Sequence, residues 1–204
     1  MTQSPKQFFA EYDFCIRCPK CLTGSLAQGD CNGVVCLDCA QVFPEEDNIP
    51  LLFWPHDSLE NPKDVTKRMR AFYEETPFPN YDDLDDVSSL LNKARKGAFA
   101  RVLNDELPFG IGILEVGCGT GQLGAFLSIA NRTVISVDMT VNSLKLGQKF
   151  KKKNGLNRVH YMQMNLFRPV FRENSFHVVI CNGILHHTTD PELGFKLTSR
   201  LVLP

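Results

Sequence analysis

With 204 residues, 43% of them hydrophobic and 22% charged, the chain has apolar material for one ordinary core plus a satellite module, so two domains at most are expected. A formal net charge of −1 excludes a global electrostatic pull toward nucleic acid and leaves only local patches to consider. No stretch has the length of apolar sequence that spans a bilayer, and the opening MTQSPKQFFAEYDF lacks the regions of a signal peptide, so a cytoplasmic location and no membrane partner are expected. The local patches are Lys145, Lys149 and Lys151 to Lys153 on one side and Asp82, Asp83, Asp85 and Asp86 on the other; both read as solvated faces, which leaves nucleic-acid contact open without indicating it.

Residues 1–12 read as a tail and residues 13–55 as a compact cysteine module. Six of the eight cysteines crowd between Cys15 and Cys39. In a reducing compartment that spacing points to metal rather than disulfides. Cys18-Pro-Lys-Cys21 and Cys36-Leu-Asp-Cys39 form two knuckles whose four thiolates can converge tetrahedrally on structural Zn2+, a closed site with no place for substrate water. Cys15 and Cys31 are left over, and because Cys15-x2-Cys18 is itself a knuckle spacing, another ligand register stays open, as do iron-sulfur ligation and plain thiols. With CPKC, CLDC and the following VFPEEDNIPLL, the segment resembles the zinc ribbon that precedes or partners several RNA and protein methyltransferases, including large-subunit rRNA guanine methyltransferases.

Residues 56–108 read as a polar connector followed by one leading helix from Val87 to Leu107, whose apolar positions recur at helical spacing. From residue 109 to 204 strands and helices alternate: strand Ile111 to Val116, helix Leu123 to Ala130, strand Thr133 to Val137, helix Val141 to Lys153, strands Arg158 to Met162 and Phe176 to Cys181, and helix Pro191 to Leu201. This predicts an α/β, Rossmann-like parallel sheet with helices on both faces and a ligand at the carboxyl ends of the strands.

Two readings compete for Glu115-Val116-Gly117-Cys118-Gly119-Thr120-Gly121. Gly119-Thr-Gly121-Gln-Leu-Gly124 fits a dinucleotide fingerprint for NAD, with Asp138 at the distance of a ribose-binding acid. Against this, Glu115 at the strand end would repel a pyrophosphate, whereas a ligand bearing an ammonium and a sulfonium, such as S-adenosylmethionine, is favoured by it.

Residues 109–204 resemble class I S-adenosylmethionine-dependent methyltransferases of the type 11 group, and FYEETPFPNYDDLDD and NSFHVVICNGILHHTTDP place the chain near a bacterial branch of that family. The resemblance implies that Glu115, Gly117, Gly119 and Gly121 hold the methionine part of the cofactor and Asp138 its ribose hydroxyls. It also places Met139, Leu166 and Asn182 in the cofactor set, with Asn165 where the family often has an acid that accepts from the adenine amino group. The family strand order is 3-2-1-4-5-7-6, of which this chain is expected to supply 3-2-1-4. A chain ending at Pro204 is therefore expected to be C-terminally truncated, inactive by itself and exposed along Val178-Val179-Ile180.

Methyl transfer rests mainly on positioning, so a base is optional. His186 and His187 are the candidates, with plain helix-start histidines as the alternative. Cys181-Asn182-Gly183-Ile184 differs from the strand-end sequences of base N-methyltransferases and cytosine C5 enzymes, and Cys181 reads as a buried thiol. Phe78, Pro79 and Tyr81 are candidates for a lid. The expected function is methyl transfer to an unidentified small-molecule, RNA or protein acceptor; the alternatives are a noncatalytic zinc-bearing interaction module and an NAD-binding protein.

Overall fold

The computed structural model describes residues 12, 15–29, 33–61 and 63–204. The tail, apart from Tyr12, and Cys31 lie outside the described residues.

The cysteine module forms a small antiparallel sheet of β1 (Leu26–Gln28), β2 (Gly33–Cys36), β3 (Val42–Glu46) and β4 (Ile49–Pro50), in that order. Three helices follow: α1 (Thr66–Glu75), α2 (Val87–Lys96) and α3 (Ala98–Glu106). Next come β5 (Gly112–Val116), α4 (Gln122–Ser128), β6 (Thr133–Asp138), α5 (Val141–Asn154), β7 (Val159–Gln163), β8 (Val178–Ile180), a 3-10 turn at Leu185–His187 and α6 (Pro191–Ser199). The second sheet runs β7-β6-β5-β8, all parallel, with Glu115 opposite both Ser136 and Ile180.

Residues alternate across this sheet. Ile113, Val134, Val159, Tyr161 and Ile180 face a cluster completed by Leu90, Ala125, Phe126, Leu144 and Phe150 from α2, α4 and α5. Leu114, Val116, Ile135, Val137, Met162 and Met164 face the opposite way, against Ile16, Leu26, Val34, Phe43 and Leu52 of the cysteine module. Helices α2, α4 and α5 thus cover one face, and the cysteine module covers much of the other, where Gly194 of α6 also lies against Leu166. A parallel sheet must bury both faces, and an apolar antiparallel ribbon can do so as well as a helix. The backbone joins the layers, because Arg17 N donates to Val170 O (2.8 Å), Arg172 N to Cys15 O (2.7 Å) and Leu52 N to Gln163 O (3.1 Å).

The segment preceding β5 departs from the expected single helix. Gly97 is extended at φ −83° and ψ 121°, and the chain breaks there into α2 and α3. Glycine costs about 1 kcal/mol relative to alanine inside a helix, so the break falls where continuation gains least. Asp86 caps α2 through Ser89 N (2.8 Å), while Ser89 Oγ accepts from Asp86 N (3.1 Å). The far end of α3 is fastened by the fully buried Arg132, which donates to the carbonyls of Asn104, Leu107 and Pro108 at 2.6–3.0 Å. A guanidinium has five donors, so one side chain satisfies several helix-end carbonyls at once and holds α3 beside the sheet.

The polar connector contains α1, which the charged sequence TKRMRAFYEE conceals. Asp64 Oδ1 accepts from Thr66 N at 2.8 Å and starts the helix. None of the described helices is long and apolar enough to cross a membrane.

Candidate active site and cysteine cluster

Strand β5 delivers its chain directly into a glycine turn and then α4. Gly117, Gly119 and Gly121 sit at φ +68°, +55° and +71°. At Gly119 the left-handed backbone and the space are both demanding, since a Cβ there would overlap the carbonyl oxygen of Phe78. That carbonyl belongs to a strap running over the loop. Thr120 N donates to Phe78 O (3.3 Å), Thr120 Oγ1 to Pro79 O (2.5 Å), Gln122 Nε2 to Asn80 O (2.6 Å) and Tyr81 OH to Thr120 O (3.1 Å). The candidate lid segment is therefore tied to the loop, with the Phe78 side chain left 71% exposed.

Two carboxylates stand beneath the loop at the strand ends. Glu115 is 6% exposed, and its Oε2 accepts from Ser136 Oγ (2.7 Å) and Gly124 N (3.1 Å). Burial pushes its carboxyl up to about 7, opposed by those two hydrogen bonds and reinforced by the charge of Asp138. Asp138 ends β6; its Oδ2 accepts from Gly119 N (2.8 Å) and its Oδ1 from Thr140 N (2.9 Å) and Thr140 Oγ1 (2.7 Å). Burial raises the Asp138 carboxyl as well, against the pull of these donors.

These groups border a cavity of about 590 Å³, within the size range of small-molecule sites. Of the predicted cofactor residues, Glu115, Gly117, Gly119, Asp138, Met139, Leu166 and Asn182 line it. Gly121 stands behind it against the Tyr161 ring. His187 lines it, and its ring meets that of Tyr73 edge-on with centroids 6.3 Å apart. His186 does not line the cavity; its ring lies tilted against that of His187, centroids 3.9 Å apart. Cys181 stays a thiol at neutral pH, because burial pushes it up to about 11.

Asn165 is a correction. It lies outside the cavity wall, 2% exposed, with both ends of its amide engaged. Its Nδ2 donates to Trp54 O (2.8 Å) and faces His56 Nδ1 (3.1 Å), and its Oδ1 accepts from Phe167 N (3.0 Å). His56 Nε2 in turn lies 3.0 Å from Asp64 Oδ2, which assigns the ring proton to Nε2. The position needs a donor toward Trp54 and His56, and a carboxylate has none.

Sequence reasoning missed the roof of the cavity, including Met69 and Tyr73 of α1, Lys93 of α2 and Phe99 of α3. The four-residue spacing of Met69 and Tyr73 was the available signal, obscured by the charges between them.

In the ribbon, Cys18, Cys21, Cys36 and Cys39 bring their sulfurs within 4.8 Å of one another. Cys18 Sγ is 3.8 Å from Cys39 Sγ, and Cys21 Sγ is 3.7 Å from Cys36 Sγ. Four thiolates about 2.3 Å from a tetrahedral zinc stand about 3.8 Å apart, so the cluster fits that ion. Hydrogen bonds from the Thr23 and Gly24 backbone hold the Cys21 thiol down at about 6, while burial pushes Cys18 up to about 12. Cys15 is outside the cluster and its Sγ donates to Tyr12 O (3.2 Å), which removes the alternative register built on it.

Two outcomes follow from these environments. Because the folded-state pKa of Glu115 lies above that of an unfolded glutamate, its contribution is full below about pH 4.5 and is lost as pH rises through about 7. Glu115→Gln should therefore raise the ligand-free melting temperature at pH 8, by up to about 3 kcal/mol of stability, and have much less effect at pH 5; equal shifts at the two pH values would count against a raised pKa. Asn165→Asp should cost about 1–3 kcal/mol at neutral pH by setting a carboxylate against the Trp54 carbonyl, which denaturant melts would read directly.

Comparison with known proteins bears on the same region. Residues 113–204 match the family described as a methyltransferase domain. An uncharacterized protein of Synechococcus sp. is 27% identical over 149 residues, covering 70% of this chain and 36% of that protein. A ubiquinone biosynthesis O-methyltransferase of Actinobacillus pleuropneumoniae is 34% identical over 88 residues, covering 41% of this chain and 37% of that protein. The chain thus spans well under half the length of these relatives. The crystal structure of the cyclase SpnF superposes with a TM-score of 0.54 at 16% identity, over 68% of this chain and 57% of that one. A putative S-adenosyl-L-methionine-dependent methyltransferase of Methanococcus maripaludis gives 0.51 at 14%, over 67% and 59%. At those identities the structures show the fold alone. Residues 113–204 are thus similar in sequence to a methyltransferase domain, and their strand-loop-helix geometry is the fold shared with these structures.

Proposed function

We propose that the cavity binds S-adenosylmethionine and that the protein transfers its methyl group to an oxygen of a small, largely apolar acceptor. The single observation that carries the cofactor reading is the left-handed glycine loop flanked by Glu115 and Asp138 at the mouths of β5 and β6. When bound, the cofactor supplies a methyl group already activated by its sulfonium. The carboxylate of Asp138 keeps lone pairs beyond those used by Gly119 and Thr140, so it can also accept from ribose hydroxyls. Met139 and Leu166 offer apolar walls, and Glu115 offers the negative charge that a cationic ligand favours.

The acceptor reading rests on the roof, where Met69, Tyr73, Phe78 and Phe99 present an apolar wall, and on relatives named O-methyltransferases. His187, beside Tyr73, is the side chain placed to take a proton from an acceptor hydroxyl. The same fold in SpnF, a cyclase by name, supports a second reading, in which the cavity binds cofactor without methyl transfer. Zinc in the four-cysteine cluster is proposed as structural, since all four positions are filled by protein sulfur.

Calorimetry should show S-adenosylhomocysteine binding more tightly than NAD. Asp138→Ala should weaken the former by at least tenfold, since hydrogen bonds to a charged acceptor contribute roughly 1.5–3 kcal/mol each. Tighter binding of NAD would reverse the cofactor assignment. For the metal, about one zinc per chain should be lost in Cys18→Ser and in Cys36→Ser. A four-thiolate site contributes roughly 10–16 kcal/mol to ordering its module. Because the ribbon covers a face of the catalytic sheet, chelation should lower the melting of both layers in one transition. Unchanged zinc content in both variants would sink the assignment.

A further inference from the structure

Helix α5 begins immediately after the Asp138 turn, and it has no side-chain cap of its own. Thr140 occupies the capping position, yet its hydroxyl points back to Asp138 Oδ1 at 2.7 Å. The exposed amides of the helix are taken instead by Glu74, near the end of α1. Glu74 Oε1 accepts from Val141 N (2.9 Å), Oε2 from Asn142 N (2.9 Å), and the Glu74 carbonyl from Asn142 Nδ2 (2.9 Å). Arg70 Nε stands 3.9 Å from the same carboxylate, and Lys145 adds a positive field.

Glu74 therefore does for α5 what Thr140 would ordinarily do. A helix N-terminus with free amides attracts hydroxyl and carboxylate oxygens. The two nearest alternatives are the Thr140 hydroxyl and the Asp138 carboxylate itself. While Glu74 occupies the amides, Thr140 is free to fix Oδ1 and the Gly119 amide fixes Oδ2. Four residues after Glu74, at Phe78, the chain enters the strap that is bonded to Thr120 and Gln122, so both oxygens of Asp138 are oriented by partners whose positions depend on one segment, residues 74–81.

Resting on the cofactor reading above, we propose that Glu74 is a positioning residue for cofactor binding: by capping α5 from outside, it keeps the Asp138 carboxylate aimed at the ribose hydroxyls. It touches no cofactor and acts through Thr140 and Asp138.

The test is a double-mutant cycle on the full chain, read by calorimetry with S-adenosylhomocysteine and by amide hydrogen exchange at Val141 and Asn142. Glu74→Gln retains size but offers one acceptor for two amides; Glu74→Ala offers none. Each should speed exchange at both amides and weaken binding about tenfold. In an Asp138→Asn background the same changes should weaken binding less than twofold, because the group through which Glu74 acts is already altered. An equal loss in both backgrounds would reduce Glu74 to general stability and overturn the proposal, as would unchanged binding by a Glu74→Gln protein whose amides exchange faster. Glu74→Gln keeps the test available if Glu74→Ala does not fold. Absence of binding by the unaltered chain is a separate result and would remove the cofactor reading itself.

Discussion

A parallel sheet exposes two apolar faces, and the most consequential feature of this protein is what covers the second. Leu114, Val116, Ile135, Val137 and Met162 point away from the helices and would face water without the ribbon strands beneath them. The ribbon is too small to supply a large core of its own, and its four sulfurs converge at the edge of that shared cluster. Each layer therefore completes the other. Order in the ribbon is transmitted, by packing and by the backbone bonds of Arg17, Leu52 and Arg172, to the strands whose carboxyl ends bear Glu115 and Asp138.

The shared face also accounts for the oddest residue of the parallel-sheet layer. Asn165 follows β7, where it could reach a ligand, but it turns toward Trp54 and His56 at the exit of the ribbon. Asp64, which closes this buried chain through His56, simultaneously starts α1. One polar network thus joins the ribbon exit, the end of β7 and the first roof helix. In a buried setting an unmet donor or acceptor is costly, so the network fixes the identity at position 165 more firmly than a ligand contact would.

Much of the fold was legible because its signals are local. The strand-glycine-helix sequence around Val116 and the helical spacing after Val141 mark β5, α4, β6 and α5 to within a few residues. The cysteine knuckles show their own geometry because the ligands are close in sequence. The roof was not legible for the opposite reason. Helix α1 carries a charged, weakly apolar sequence and is held by Asp64 at one end and by Glu74 docking on α5 at the other, contacts that no local pattern contains. The placement of Asn165 was hidden similarly, since its partners lie about 110 positions earlier.

The roof also explains why the cavity is shaped before any ligand enters. Its walls come from α1, the strap and the broken helix pair α2 and α3, and each is pinned to the part of the sheet that carries polar groups: α1 to the start of α5, the strap to the glycine loop, and α3 to Arg132 before β6. A ligand that fits between them need not first order these segments, which lowers the entropic cost of binding. The same fixation narrows the cavity, because the strap closes over Gly119 through its backbone and leaves the Phe78 side chain exposed. Tyr73, Asn182 and His187 line the same cavity. Loop, strap and helix cap accordingly form one mechanical unit that sets the shape of the cavity beneath it.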